Sequence, residues 1–124
     1  MQIGIIENSP KLAELLKVGL ELSGHIVHLY ESAQEATSAI LEARFHQQQP
    51  PCDILIVDEE SNESQLIKRI RMFLTSEELP VIILQNTYPL LSINIHTLCD
   101  VKIVEKPVTA NSLIAAIEEI TSER

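Results

Sequence analysis

The stretch Ile54-Leu55-Ile56-Val57 narrows most what this chain can fold into. Four apolar residues run without a polar break, and all but Leu55 are β-branched. A strand with one wet face would alternate apolar and polar positions, so this run belongs to a strand covered on both sides. Such strands lie inside parallel sheets packed between helices. The run stops at Asp58. In open α/β sheets ligands bind in the crevice beyond the carboxyl ends of the strands, which makes Asp58 the leading candidate for chemistry.

The rest of the chain fits around that strand. Ile3, Ile5 and Ile6 make residues 2–6 a first strand, ended by Glu7 and Asn8. Ser9 suits a helix N-cap, and Pro10 suits the first helical position because it has no N–H to leave unsatisfied. Leu12, Leu15, Leu16 and Leu20 follow at helical spacing, and Gly24 offers a stop. Residues 25–30 read as a second strand. Ser32 and Glu35 have capping-box spacing, and Ala33, Ala36, Ile40 and Ala43 form the apolar face of the helix that follows. The polar stretch 46–51 is too short to separate two domains.

Beyond Asp58 an acidic loop runs from Glu59 to Glu63, and Leu66, Ile67, Ile70, Phe73 and Leu74 predict a third helix. Pro80 closes a turn before a fourth strand, Val81 to Leu84. Residues 88–99 read as a short helix, although Ile93 and Ile95 also alternate like a strand. Val101 to Val104 form a fifth strand ending at Glu105 and Lys106; Thr109 then caps a last helix whose Leu113, Ile114, Ile117 and Ile120 face the core. Strand and helix alternate five times without an internal repeat. The expectation is one α/β domain over residues 1–124, with a parallel sheet and helices on both faces.

Composition excludes several classes. The formal net charge of −9 leaves no basic face for nucleic-acid phosphates, so direct nucleic-acid binding by this domain is not expected. No apolar run reaches the length of a membrane span, and no secretory signal opens the chain. Cys52 and Cys99 have neither CxxC nor Cys/His spacing, which points to a reducing, cytoplasmic compartment rather than a disulfide scaffold or zinc site. Gly4, Gly19 and Gly24 form neither a GxGxxG nor a P-loop.

Parallel strands point their carboxyl ends to one edge. That edge would gather Glu7 and Asn8 from the first strand, Asp58 from the third, Gln85 and Asn86 from the fourth, and Lys106 from the fifth. Hard oxygen donors of this kind suit Mg²⁺. A carboxylate beside a cation and a lysine can attack a phosphoryl group while both positive charges stabilise the transferred oxygens.

In the order and spacing of Ile5-Ile6-Glu7-Asn8, Asp53 to Asp58, Pro80 to Leu84 and Lys106-Pro107, the chain resembles the receiver domain of bacterial response regulators over essentially its whole length. The resemblance implies a flavodoxin-like, doubly wound five-stranded sheet of order 2-1-3-4-5. It implies that Asp58 is the phosphoacceptor, that Glu7 and Asn8 stand at the acidic pair holding Mg²⁺, that the Glu60 carbonyl is a further metal ligand, and that Lys106 binds the phosphate. The partners implied are a sensor histidine kinase or phosphotransfer protein and a downstream effector. The effector would be read through the surface of the 88–99 segment, the fifth strand and the last helix. Some members of that family dimerise on phosphorylation, and nothing in this sequence fixes the oligomeric state.

The sequence departs from the family pattern. Asn8 replaces a second acid, which weakens the hold on Mg²⁺. Gln85 stands where a Ser or Thr hydroxyl is usual, Asn86 where a small residue is usual, and Ile103 where an aromatic is usual. Glu59 and Glu60 add negative charge beside the acceptor. Two versions follow: a receiver phosphorylated on Asp58, and a phosphorylation-independent interaction module of the same fold. An enzyme reading, an aspartyl phosphatase of the haloacid dehalogenase type, lacks the Asp-x-Asp on the first strand and a cap domain. A flavin site lacks its phosphate loop.

Each residue also has a plainer reading: Asp58 as a helix cap or solvated loop acid, Lys106 as a surface lysine in a turn, Glu7 and Asn8 as the start of the first helix. His25 and His28 lack a third ligand for a metal. Tyr30 and Phe73 are read as packing residues, and the two cysteines as buried or half-buried thiols.

Overall fold

The apolar run at 54–57 is the central strand of a parallel sheet in the computed structural model, which describes residues 1–7, 9–58, 63–75, 78–85, 102–105 and 108–122. The strands are β1 (Gln2–Ile6), β2 (Ile26–Tyr30), β3 (Ile54–Asp58), β4 (Val81–Gln85) and β5 (Lys102–Glu105). The helices among the described residues are α1 (Pro10–Leu22), α2 (Ala33–Phe45), α3 (Glu63–Phe73) and α4 (Ala110–Ser122). The order across the sheet is β2-β1-β3-β4-β5, and every neighbouring pair is parallel. Every residue of β3 is buried, as expected for a strand with helices on both sides.

Side chains alternate along each strand and so feed two cores. Ile3, Ile5, Ile54, Ile56, Ile82 and Leu84 pack with Leu16 and Leu20 of α1 and Leu113, Ala116 and Ile117 of α4. Ile6, Leu55, Val57, Val81 and Ile83 pack with Ala36 and Ile40 of α2, Ile70 of α3, and Leu74, Leu79 and Cys52.

The helix caps follow the sequence signals. Ser9 Oγ accepts from the Leu12 N–H at 3.3 Å, with Pro10 in the first helical position. Ser32 Oγ accepts from the Glu35 N–H at 3.1 Å. The Glu35 carboxylate reaches the N–H of Glu31 at 3.2 Å, one residue earlier than in a standard capping box. Thr109 and Ser112 cap α4 reciprocally: Thr109 Oγ1 accepts from the Ser112 N–H at 3.1 Å, and Ser112 Oγ accepts from the Thr109 N–H at 3.0 Å.

Helix α1 ends in a Schellman motif. The N–H of Gly24 donates to the Glu21 carbonyl at 3.0 Å and that of His25 to the Leu20 carbonyl at 3.2 Å, with Gly24 at φ +94°. His25 therefore belongs to the helix stop, and the second strand begins at Ile26 rather than at 25. Helix α2 ends the same way through a residue that is not glycine. The N–H of Gln47 donates to Arg44 O at 3.1 Å and that of Gln48 to Ala43 O at 2.8 Å, with Gln47 at φ 56°.

Other expectations need adjusting. Leu15 was expected on the buried face of the first helix but is exposed, and Ala13 is buried with Leu16 and Leu20. At about 3.6 residues per turn, position 15 lies about 100° or more around the helix from each of 13, 16 and 20, so Leu15 turns away from the buried stripe. Thr37 joins Ala36 and Ile40 on the buried face of α2, its hydroxyl donating to the Ala33 carbonyl at 2.7 Å. The fifth strand runs to Glu105. The 88–99 helix, the acidic loop at 59–62, Asn86 and Cys99 lie outside the described residues.

Candidate functional site at the carboxyl edge

The register of the sheet sets what meets at its carboxyl edge. Ile6 of β1 pairs with Val57 of β3, so the next residue on each strand is Glu7 and Asp58. Asp58 pairs with Leu84 of β4, and Gln85 pairs with Glu105 of β5. Neighbouring strands are about 4.8 Å apart. Glu7, Asp58 and Gln85 therefore stand at the ends of three adjacent strands, as strand ends in the sequence indicated.

Asp58 is 1 % exposed. A buried carboxylate at a strand end is costly unless neighbouring groups stabilise its charge, so its position is specific rather than that of a solvated loop acid. Glu7 is half-buried. Its Oε1 accepts from the Ser9 N–H at 3.2 Å, and its Oε2 is buried. Ser9 is also the N-cap of α1, so this carboxylate lies at the positive end of that helix. The plainer reading of Glu7 as a helix-start acid is thus realised, and it coexists with a place beside Asp58.

By the two-residue period, Glu7 shares a strand face with Ile3 and Ile5, and Asp58 shares one with Ile54 and Ile56. Those four isoleucines belong to the same core, under α1 and α4, so both acids emerge on one side of the sheet. Two carboxylates at one edge are a hard-oxygen donor set of the type Mg²⁺ takes. Among the described residues no group of three His, Cys, Asp or Glu could hold a metal. The remaining expected ligands, Asn8 and Glu60, lie outside the described residues, as does Lys106 after the end of β5.

Sequence reasoning ended β5 before Glu105. That acid is the exposed last residue of the strand and pairs with Gln85, adding charge to the outer part of the edge. Ile103 is partly buried against the core under α2 and α3. His25 Nδ1 lies 3.3 Å from the Met1 amino group, and His28 Nε2 lies 3.0 Å from Gln2 Oε1. Among the described residues no helix is long and apolar enough to cross a membrane.

No family model matches the sequence, and no curated protein matches it. Solved structures match at the level of the fold. A two-component response regulator from Clostridium difficile superposes with a TM-score of 0.79 at 21% identity, covering 98% of this chain and 96% of that one. The chemotaxis response regulator CheY4 of Vibrio cholerae gives 0.74 at 15%, covering 96% and 97%. NtrX from Brucella abortus gives 0.77 at 19%, covering 95% of this chain and 25% of NtrX, so the chain spans a quarter of that protein's length. At these identities the likeness is one of fold.

Proposed function

We propose that this chain, which has the fold of response-regulator receiver domains, is a receiver module of two-component signalling. A carboxylate oxygen of Asp58 attacks the phosphorus of a phosphohistidine on a sensor kinase or phosphotransfer protein. The N–P bond breaks, the imidazole leaves with a proton, and an acyl phosphate remains on Asp58. The observation that carries this reading is the burial of Asp58 at the end of β3, alongside Glu7 in the register of β1.

Glu7, Asn8, Asp58 and the Glu60 carbonyl are the residues that would hold Mg²⁺, which supplies positive charge to the phosphoryl oxygens. Lys106 would add a second positive charge and the Gln85 amide a hydrogen bond. The acyl phosphate hydrolyses slowly on its own, so the module acts as a switch for a downstream effector rather than as an enzyme with a small-molecule product. A cytoplasmic setting goes with such partners.

Intact mass after incubation with Mg²⁺ and acetyl phosphate tests the reading. One phosphate adduct that disappears in Asp58→Asn is the expected result, and an adduct that persists in that variant refutes the assignment. A second reading, a phosphorylation-independent interaction module, is favoured by Ile103. That aliphatic side chain is partly packed into the core, where a reorienting aromatic would otherwise report the state of the acceptor. Partner binding unchanged by Asp58→Asn, with no adduct from any donor, would select it.

A further inference from the structure

A second functional surface lies at the opposite end of the sheet. Helices α2 and α3 each begin just after a strand's carboxyl end and run back, so their last turns lie at the amino edge. There Phe45 of α2 and Phe73 of α3 pack edge to face, with ring centroids 5.2 Å apart at 80°. The pair is not a closed core: Phe45 is 65% exposed, Phe73 37% and the adjacent Met72 75%. Two aromatics and a methionine in water are the residue types that anchor interfaces.

The charge around them is opposite to that of the chain. Lys68, Arg69 and Arg71 fall within four residues of a sequence holding only 9 Lys and Arg against 18 Asp and Glu. Arg71 is engaged locally, its Nη1 donating to the Leu79 carbonyl at 2.8 Å and the Thr75 carbonyl at 3.3 Å. Lys68 and Arg69 are exposed, and Lys68 with Met72 and Arg69 with Phe73 are i,i+4 neighbours on α3. Neither cation has an acid three or four residues away along the helix. Arg44 of α2 lies beside Phe45 and is 4.0 Å from Glu78. Among the described residues, Glu42 and Glu78 stand near the pair against Arg44, Lys68, Arg69 and Arg71, and the sequence places Glu77 next to Glu78.

We propose that the Phe45–Met72–Phe73 surface docks an acidic amphipathic segment of another protein. Such a segment would place apolar side chains on the aromatic pair and carboxylates against Lys68 and Arg69. A second copy fits worse: a twofold contact would set Lys68 and Arg69 against themselves, and two chains of net charge −9 repel. An anionic membrane also fits worse, because the rest of the chain is repelled by it. A strand of five residues separates this end from Asp58 by about 17 Å, so docking here is independent of the acceptor's state.

The test uses the full chain and a fluorescein-labelled helical peptide with Leu and Phe on one face and Glu on the other, read by anisotropy. The expected result is saturable binding that perturbs the amide resonances of residues 44–45 and 68–73. Affinity should weaken about tenfold or more in Met72→Ser and in Arg69→Glu, and stay unchanged in Asp58→Asn and in Leu22→Ser on α1. Phe45→Leu, which keeps the local packing apolar, serves where a polar variant loses its fold. Equal binding of a Lys-substituted peptide, insensitivity to Arg69→Glu, or dependence on Asp58 would overturn the proposal. So would a dimer dispersed by Met72→Ser, or binding confined to phosphatidylserine vesicles. Phosphate incorporation at Asp58 is scored separately, so failure here leaves the receiver reading standing.

Discussion

Helices α1 and α4 cover one face of the sheet over a core of aliphatic residues and alanine, whereas the core under α2 and α3 also takes in Cys52 and Tyr30, with Thr37 buried on α2. The first face gains closeness through small residues. A Cβ on Gly19 would overlap the Cβ of Ala110, so α1 and the start of α4 touch where neither carries a larger side chain. On the second face the close approach to a glycine is made by larger side chains. A Cβ on Gly4 would meet Tyr30 Cε2 at 3.0 Å, Cys52 Sγ at 3.1 Å and Leu55 Cδ1 at 3.2 Å, all of them side-chain atoms. The expectation from this contrast is that the face under the two candidate acids, Glu7 and Asp58, adapts less to added or lost volume than the opposite one.

The largest test of that contrast is truncation within β3. Ile56→Ala opens a cavity on the α1/α4 side and Leu55→Ala on the α2/α3 side, each expected to cost about 2–5 kcal/mol in urea unfolding. The contrast requires Ile56→Ala to cost more, because its surroundings collapse less; equal losses would break it.

Next comes Gly19→Ala. Helix propensity alone favours alanine by about 0.5–1 kcal/mol, yet overlap with Ala110 should make the variant net destabilising by about 1–3 kcal/mol. Ala110→Gly should restore much of the loss. Gly4→Ala, facing side chains that can shift, should cost less than Gly19→Ala, and the reverse order in thermal melts would contradict the assignment of rigidity.

Ionisation sharpens the picture of the second face. Burial pushes the Cys52 thiol from 9.0 up to about 12, and burial with the nearby Cys52 and Glu35 pushes the Tyr30 phenol from 10.0 up to about 12. Both groups ionise earlier in the unfolded chain. Their contribution to stability is therefore complete below pH 9 and declines as pH rises from about 9 to 12. In a Cys99→Ser background, Cys52→Ala should flatten that decline, and Cys52 in the folded protein should resist iodoacetamide at pH 8. Rapid alkylation without unfolding would show that the thiol is not enclosed.

The smallest effect is expected at the end of α2. Gln47 holds a left-handed conformation at φ 56°, the place glycine takes at the end of α1, so Gln47→Gly should stabilise the fold by about 0.5–1 kcal/mol. A loss of stability would mean that the Gln47 side chain contributes contacts outweighing its backbone cost.

These helix ends also show what a sequence reveals. Gly24 announces the first stop because glycine and a left-handed turn go together; the second stop is built identically through Gln47 and gives no compositional sign. The strands were readable because apolar runs and helical periods are physical requirements of burial, whereas their order across the sheet came only from the resemblance to receiver domains. Leu15 misled because a helix can carry more leucines than its buried stripe accommodates. At the candidate site, Glu7 and Asp58 were legible as strand ends, and the register brings them to one edge. Asn8, Glu60 and Lys106 lie outside the described residues, and no periodicity in the sequence ties their side chains to a face.

The interior position of β1, between β2 and β3, bears on how the sheet is assembled during synthesis. Ile3 pairs with Val27 on one side and with Ile54 on the other, so β1 keeps one edge open until the third strand has been made. Until β3 emerges, a nascent β1–β2 pair presents Ile3, Ile5 and Ile6 along an open hydrogen-bonding edge, the arrangement most prone to wrong pairing. The first half of the chain therefore depends on quick capture by β3, and substitutions that slow formation of the 54–57 strand should lower soluble yield more than they lower the final stability.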